Sequence, residues 1–224
     1  MIELSRVGKE FGSCVALSEV SLNVDEGEFV FITGSSGSGK TTLVRLLIAD
    51  EFPETGFIKV DGLHLVNATE DQLRSHRRRI GVVFQDYGLL ADKTAYENVA
   101  FALRCINIEP ASVHRRTLEA LATVGMGQSG GAYPEELSAG MQQRVAIARA
   151  IVTRPRMVLA DEPTGNVDPK NTVAIMEILD AINRTGTTVI VTTHDPLIVE
   201  IMQRRVVLLE RGRVRVDDVG GYRV

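Results

Sequence analysis

Hydrophobic residues fall in short runs along the chain, and their order predicts an α/β protein. The first third contains short runs typical of strands, which we expect to be largely antiparallel. From residue 28 the pattern changes to a strand, a glycine-rich loop and a helix, the beginning of a parallel α/β unit. The predicted strands are IELSRV (2–7), VSLNV (20–24), EFVFIT (28–33), GFIKVDG (56–62), IGVVF (80–84), MVLAD (157–161) and TTVIVTT (187–193). The last two runs are continuously apolar or β-branched, so we expect both faces of those strands to be covered.

Three polar residues predict helix starts. Asp168 and Asp195 each precede a proline, which is an N-cap and first-turn pattern, and they open KNTVAIMEILDAINR and LIVEIMQ. Thr94 forms a capping box with Glu97 ahead of NVAFALR. The helix KTTLVRLLIAD (40–50) follows the glycine-rich loop.

No strand is evident between about residues 86 and 153, so that stretch is predicted to be a helical lobe inserted into the sheet. We therefore predict one α/β domain over residues 1–224. Its core, residues 1–85 and 154–224, combines a mixed sheet with an N-terminal antiparallel β subdomain, and residues 86–153 form the lobe. The charged tail from Glu210 is expected to form a peripheral hairpin with a frayed end.

Charge and composition exclude several functions. The formal net charge of −4 argues against a nucleic-acid partner. No apolar run approaches the length of a membrane span and the N-terminus lacks a secretion-signal layout, so we expect a cytosolic chain that reaches a membrane only through a partner. Cys14 and Cys105 lie in no metal-binding pattern and are interpreted as reduced packing residues. HRRR (76–79) is interpreted as a solvated helix face, with contact to anionic lipid as the alternative.

GSSGSGKT (34–41) matches the phosphate-binding loop pattern and stands between a predicted strand and a predicted helix. Glycines let backbone N–H groups wrap a β-phosphate, Lys40 can reach the β and γ oxygens, and the Thr41 hydroxyl can bind Mg²⁺. The motif therefore predicts binding of ATP or GTP. The residues expected to contact the nucleotide here are Gly34, Ser35, Ser36, Gly37, Ser38, Gly39, Lys40, Thr41 and Thr42.

Polar residues at the ends of three predicted strands add candidate catalytic groups. Asp161 is placed to hold the Mg²⁺ shell, and Glu162 could polarise a water for attack on the γ-phosphate, although a solvated acidic strand end is the alternative. Gln85 and His194 each follow a predicted strand, where open α/β sheets bind ligands, so we expect both to point at the same γ-phosphate.

LSAGMQQR (137–144) begins a predicted helix with a serine and small residues, which makes a second place able to hold phosphate. The phosphate loop, Gln85, LSAGMQQR, LADEPTGNVD and His194 follow one another over most of the chain, and together they resemble the nucleotide-binding subunit of an ABC ATPase. The resemblance implies a P-loop NTPase fold of the ABC type, with ATP and Mg²⁺ as ligands. It also implies a homodimer in which two subunits face head to tail in the ATP state.

The same resemblance implies roles for individual residues. Ser138 and Gly140 would contact the γ-phosphate of ATP held by the other subunit, and Asp168 would lie in the interface loop that links the two sites. Thr41, Gln85 and Asp161 would hold Mg²⁺, partly through water. Phe11 lies roughly where the family stacks an aromatic residue on adenine, and core packing is the alternative. One chain alone is then expected to hydrolyse ATP poorly.

Two residues depart from the family pattern, which usually has Leu-Ser-Gly-Gly followed by Gln or Glu. This chain has Ala139 and Met141 instead. Alanine fits a first helical turn, but its methyl group adds bulk near the phosphate, and methionine supplies no polar contact. We therefore expect a weaker ATP sandwich between subunits, and a nucleotide-gated scaffold with little turnover is an alternative function.

Within the family, VFQDYGLLADKTAYENVAFAL and LADEPTGNVD are most similar to its cell-division members. That resemblance implies an integral membrane partner, on the cytoplasmic side of which the chain would sit, and indirectly a cell-wall hydrolase. The surface around Gln85 and from Asp86 to about Leu103 would receive the partner, with Tyr87, Leu89 and Leu90 as candidate groove residues and core packing as the alternative for them. The ATPase of a lipoprotein-release or macrolide-type exporter is the alternative.

Overall fold

Two β-sheets organise the computed structural model, which describes residues 1–219. In chain order the strands are β1 (Ile2–Phe11), β2 (Cys14–Val24), β3 (Phe29–Thr33), β4 (Thr55–Val60), β5 (Leu63–His64), β6 (Ile80–Val83), β7 (Met157–Asp161), β8 (Thr188–Thr193), β9 (Arg205–Glu210) and β10 (Arg213–Val219). The first sheet is antiparallel, in the order β2–β1–β4–β5. The second has the order β10–β9–β3–β8–β7–β6 and is parallel except for β10. The predicted antiparallel start and mixed main sheet are therefore confirmed.

Helices cover the second sheet and fill the connection between β6 and β7. They are α1 (Lys40–Leu47), α2 (Glu70–Arg77), α3 (Ala95–Cys105), α4 (Pro110–Thr123), α5 (Ala139–Ile151), α6 (Pro169–Arg184) and α7 (Pro196–Met202). No strand occurs between residues 86 and 153, where α3, α4 and α5 lie. The short helix α2 and the long helix α4 were not individually predicted.

Side chains along the central strands point alternately to the two faces of the sheet, and they contribute to two separate hydrophobic cores. On β3, Phe29 and Phe31 pack into one core together with α3 to α7. The intervening Val30 and Ile32 pack into the other, with β1, β2 and α1. Because side chains of a strand point alternately to opposite faces, a strand covered on both faces needs an uninterrupted apolar sequence. This arrangement fixes the carboxyl ends of the parallel strands along one edge, where the glycine-rich loop follows β3.

The predicted helix caps are confirmed. Asp168 accepts hydrogen bonds from the Lys170 and Asn171 N–H groups, both at 3.1 Å. Asp195 accepts from Leu197 N–H at 2.9 Å, and Thr94 forms a reciprocal capping box with Glu97. These bonds satisfy N–H groups that have no partner inside the helix and so define where each helix begins.

The basic run at residues 76–79 is not a uniform solvated face. His76 is buried and its Nε2 lies 2.7 Å from the Leu47 carbonyl oxygen. Burial lowers the pKa of His76 below its ordinary value. Arg77 donates to the carbonyl oxygens of Ile48 and Ala49 just past α1, so half of the run ties α2 to the end of α1.

Both cysteines are free, but the interpretation of them as packing residues is wrong, because both are exposed. Cys14 begins β2, an edge strand of the antiparallel sheet, and Cys105 ends α3. The predicted hairpin in the charged tail is confirmed as β9 and β10. The frayed end predicted beyond it falls on residues 220–224, outside the described residues.

Candidate nucleotide-binding site

The glycine-rich loop between β3 and α1 has a backbone that only glycine accommodates at key positions. Gly34 and Gly39 have φ values of 145° and 108°. A Cβ atom at Gly34 would collide with the Leu209 carbonyl oxygen, and one at Gly39 would lie 2.6 Å from the Ala16 carbonyl oxygen. The loop is therefore pressed against β9 and β2, and it ends at the N-terminus of α1, where unpaired N–H groups favour an anion.

The ammonium group of Lys40 spans this loop. Nζ donates to the carbonyl oxygens of Gly34 at 2.8 Å and Ser35 at 3.2 Å, and it lies 3.3 Å from Glu162 Oε1. Two carbonyl oxygens thus accept hydrogen bonds from the ammonium group, and a carboxylate forms an ion pair with it. A phosphate oxygen is an anionic acceptor of the same kind, so the ammonium group of Lys40 is suited to bind one.

The hairpin of β9 and β10 lies at the edge of the second sheet, as expected of a peripheral hairpin, and its turn also contacts the glycine-rich loop. Gly212 N–H in the hairpin turn donates to the Ser38 carbonyl oxygen at 3.1 Å. The Gly212 carbonyl oxygen accepts from Ser18 N–H of β2 at 2.8 Å. The turn connects the phosphate loop to the antiparallel sheet through its backbone.

Asp161 and Glu162 stand at the carboxyl end of β7. Asp161 is buried, and its Oδ1 accepts a hydrogen bond from Thr192 Oγ1 at 2.5 Å. Glu162 has φ 49°, which is uncommon for a residue with a side chain. Its Oε2 lies 2.8 Å from His194 Nδ1, so Glu162 connects His194 with Lys40. An ionised carboxylate can only accept, hence His194 Nδ1 carries the proton of that hydrogen bond.

A pocket of about 570 Å³ opens over these groups. It is lined by Phe11, Cys14, Ala16, Ser35, Ser36, Gly37, Gly39, Lys40, Thr41, Thr42, Gln85, Glu162 and His194. The chain segments that supply them are far apart in sequence, so the fold brings most of the predicted site residues together. Gly34, Ser38 and Asp161 are buried beside the pocket and do not line it.

Phe11 is 43% exposed at the edge of this pocket, with Lys9 Nζ 5.0 Å from its ring centroid. Of the two interpretations of Phe11, core packing does not fit this exposure. Cys14 and Ala16 were missed by the sequence reasoning. They lie in the hairpin partner of the strand that ends at Phe11, and the short β1–β2 turn is the signal that could have identified them.

Ser138, Gly140 and Asp168 do not line the pocket. Ser138 is exposed and caps α5, with Oγ 3.4 Å from Met141 N. Gly140 is buried because the Asn171 side chain covers it, and a Cβ atom there would lie 2.8 Å from Asn171 Cγ. Asn171 in turn donates to Asp168 Oδ2 at 2.6 Å, and these hydrogen bonds lower the pKa of Asp168. The start of α5 and the start of α6 are thus packed together, outside the pocket of their own chain.

Met141 is half-buried and packs against the core that contains the helical lobe. Its thioether therefore contributes to packing in this chain. Ala139 occupies the first position of α5, where alanine is favourable for a helix.

Three side chains hold the segment that follows Gln85, and none was predicted. Asn166 Nδ2 donates to the Gln85 carbonyl oxygen at 3.1 Å. Arg149 of α5 donates to the Tyr87 and Gly88 carbonyl oxygens at 2.8 and 2.6 Å. Asn98 of α3 is fully buried and exchanges hydrogen bonds with the Leu90 backbone at 2.8 and 3.1 Å. The sequence offered one signal for these contacts. Asn98 stands among apolar residues of a predicted helix, and an asparagine that becomes buried needs hydrogen-bond partners.

Replacing Arg149 with Gln is expected to lower the free energy of unfolding by about 1.5–3 kcal/mol, the range for a hydrogen bond to a charged group. The amide cannot bridge both carbonyl oxygens. Urea unfolding checks this, with Arg115→Gln as the control, because Arg115 is exposed and, within residues 1–219, its one ion pair is with Glu119 in the next turn. Equal unfolding midpoints for the two variants would contradict a structural role for Arg149.

A family model described as ABC transporter matches residues 17–165. The matched range contains the phosphate loop, Gln85, LSAGMQQR and the acidic pair. The chain therefore belongs to the ABC transporter family.

Two curated relatives span almost the whole chain. The cell division ATP-binding protein FtsE of Mycobacterium tuberculosis is 48% identical over 223 residues, which are 99% of this chain and 97% of that protein. FtsE of Bacillus subtilis is 42% identical over 222 residues, with coverage of 99% and 97%. These matches confirm the predicted resemblance to cell-division members of the family.

Two solved structures share the fold. The dimeric structure of MJ0796, a bacterial ABC transporter cassette, matches with a TM-score of 0.90 and 36% identity over 98% of both chains. A dimeric post-hydrolysis state of MJ0796 bound to ADP and Pi matches with a TM-score of 0.88, also at 36% identity and 98% of both chains. The predictions of an ABC-type P-loop fold and of an ABC-type ATPase are confirmed. Within residues 1–219, every helix is too short or too polar to cross a membrane.

Proposed function

We propose that this chain is the ATP-binding and hydrolysing subunit of an FtsE-type complex on the cytoplasmic side of the cell membrane. It works as a homodimer with an FtsX-like integral membrane protein and serves cell division by activating a cell-wall hydrolase indirectly. The observation that carries the proposal is that some of the predicted phosphate-binding residues line the pocket and others lie outside it. The pocket gathers the phosphate loop, Gln85, Glu162 and His194, whereas Ser138 and Gly140 stand outside it.

The residues present fit a bound Mg²⁺ ion. Thr41, Gln85 and Asp161 offer a hydroxyl, an amide and a carboxylate oxygen, and Mg²⁺ prefers oxygen ligands with several waters retained. When bound, the ion neutralises charge on the β- and γ-phosphates. Asp161 is the one carboxylate of this set, and its burial limits competition from bulk water.

Lys40 and Glu162 have different roles at the γ-phosphate: Lys40 binds it, and Glu162 activates the water that attacks it. Lys40 binds the phosphate oxygens in place of its contact with Glu162, which releases Glu162 Oε1 to accept a proton from the attacking water. His194 keeps Glu162 Oε2 oriented through its Nδ1–H group. The N-terminus of α5 in a second copy, where Ser138 is exposed, supplies the phosphate with N–H groups of the first helical turn and with the Ser138 hydroxyl.

ATP therefore joins two copies, because each phosphate is bound by the loop of one chain and the α5 N-terminus of the other. Hydrolysis removes the shared γ-phosphate and releases the dimer, so the chemistry drives a closing and opening motion. The ATP-bound homodimer and the helix start at residues 137–144 are thus parts of one mechanism.

A groove of about 360 Å³ between β6 and α3 is the surface proposed for the membrane partner. Phe84 and Phe101 line it and are 42% and 47% exposed, and Arg77 and Arg78 lie on its rim. Exposed aromatic residues beside arginines fit a short helix of the partner that carries an apolar face and acidic residues. Tyr87, Leu89 and Leu90, the groove residues suggested by the sequence, do not line this groove, and for Tyr87 and Leu89 the alternative of core packing fits the structure.

Co-reconstitution in lipid nanodiscs with an FtsX-like protein tests this proposal. We expect the membrane protein to stimulate ATP turnover and Phe84→Ala to lose that stimulation with little change in basal turnover, because an aromatic interface residue carries much of the binding energy. Phe52→Ala is the matched control, since Phe52 is also an exposed phenylalanine and lies outside the groove.

Three results would oppose the proposal. Stimulation by an exporter permease and not by the FtsX-like protein would place the chain in the exporter class. ATP binding without turnover in either setting would favour a nucleotide-gated scaffold. Equal effects of Phe84→Ala and Phe52→Ala would remove the groove from the interface.

A further inference from the structure

Thr192 of β8 contacts both members of the acidic pair through a single hydroxyl group. Its side chain is fully buried. Oγ1 donates to Asp161 Oδ1 at 2.5 Å and accepts from Glu162 N–H at 2.9 Å. Among residues 1–219, Thr192 is the one side chain that hydrogen-bonds to the Asp161 carboxylate.

The direction of each proton in this contact follows from the groups involved. An ionised carboxylate only accepts and a backbone N–H only donates, so the Thr192 hydroxyl must donate to Asp161 and accept from Glu162. The distance to Asp161 is that of a charge-assisted O–H···O⁻ bond, which is stronger than a neutral one. Two hydrogen bonds in series also polarise each other.

The sheet fixes the position of this hydroxyl. Thr192 pairs directly with Asp161 where β8 runs parallel to β7. A β-branched side chain on a strand has few χ1 options, so the hydroxyl stays beside the carboxylate.

Thr192 also stabilises the turn that orients the Glu162 side chain. The Glu162 N–H is shared between Thr192 Oγ1 and the Thr192 carbonyl oxygen, the latter at 3.1 Å. This pair of bonds holds Glu162 in its left-handed conformation, with φ 49°. From that conformation its carboxylate reaches Lys40 and His194.

We propose that Thr192 is a positioning residue for Mg²⁺-dependent ATP hydrolysis. Its hydroxyl binds one oxygen of Asp161, which leaves the other oxygen for the metal and its water shell, and it holds the turn from which Glu162 acts. This inference rests on the proposed function, because it assumes ATP and Mg²⁺ as ligands.

The test compares Thr192→Val, Thr192→Ser and Thr188→Val in the full chain. Valine keeps the shape of threonine without the hydroxyl, and serine restores the hydroxyl. Thr188 is the matched control because it is equally buried at the opposite end of β8, where its hydroxyl accepts from Gly27 N–H at 2.9 Å. Calorimetry measures ATP affinity with Mg²⁺ and with EDTA, and kinetics separate kcat from KM.

For Thr192→Val we expect the gain in ATP affinity due to Mg²⁺ to fall about tenfold, the lower range for loss of a group that orients a metal ligand. Affinity in EDTA stays as in the wild type, and kcat falls more than KM rises. Thr192→Ser recovers both quantities, and Thr188→Val changes neither.

A wild-type Mg²⁺ gain and kcat in Thr192→Val would overturn the inference, as would the same loss in Thr188→Val or no recovery in Thr192→Ser. A wild-type chain that binds no ATP would instead overturn the proposed function, and this inference with it. The two failures are therefore distinguishable by the wild-type titration alone.

Discussion

Glu162→Gln is expected to lower ATP turnover by about 10²–10⁴-fold, the usual contribution of a general base. Glutamine has nearly the shape of glutamate but cannot take a proton from water. ATP binding should persist, because the phosphate loop, Lys40 and Asp161 are unchanged. Removing the carboxylate also removes the anion that lies 3.3 Å from Lys40 Nζ, which leaves Lys40 free for the phosphates.

The same variant should form a long-lived ATP-bound dimer, since the shared γ-phosphate is no longer removed. Light scattering with ATP measures the dimer, and phosphate release measures turnover. Glu177→Gln is the matched control, because it makes the same chemical change at an exposed residue of α6 outside the nucleotide pocket. An ATP-bound monomer, or turnover equal to that of Glu177→Gln, would contradict the assignment of Glu162 as the base.

Features that depend on local sequence were predictable. The strand and loop around Gly34 could be recognised because a tight phosphate loop requires glycines and a following helix start. The caps at Asp168 and Asp195 were predictable for the same reason, since a cap bonds N–H groups two or three residues away. Gln85 and His194 could be brought to one edge because parallel strands end together.

Features that depend on contacts between distant residues were not predictable from one sequence. Arg149 binds carbonyl oxygens 61 and 62 positions earlier in the chain, and the hairpin turn at Gly212 braces Ser38. Hydrophobic periodicity predicts single helices and strands, but it does not show which distant segments of the chain contact each other. The exposure of Cys14 was missed because a cysteine in an apolar run is usually buried, whereas this one stands at the start of an edge strand facing an open pocket.

Neither Lys40→Ala nor Ser138→Asp should hydrolyse ATP alone, whereas a mixture of the two chains should. Lys40→Ala removes the ligand of the β- and γ-phosphates. Ser138→Asp keeps a side chain that caps α5 but places a carboxylate where the γ-phosphate of a second copy would lie. In a mixed dimer, the intact loop of the Ser138→Asp chain faces the intact α5 N-terminus of the Lys40→Ala chain, so one working site forms.

Ser138→Asn is the control for the charge, because asparagine also caps a helix but is neutral and should keep most of the turnover. Phosphate release is measured for each chain alone and after mixing. Full turnover of Ser138→Asp alone would mean that the helix start at residue 138 serves no phosphate. Inactivity of the mixture, with dimers present, would mean that each chain completes its own site, in conflict with the position of Ser138 outside the pocket. Recovery on mixing requires that the second phosphate-binding helix start acts on the other subunit, since neither chain contains a complete site.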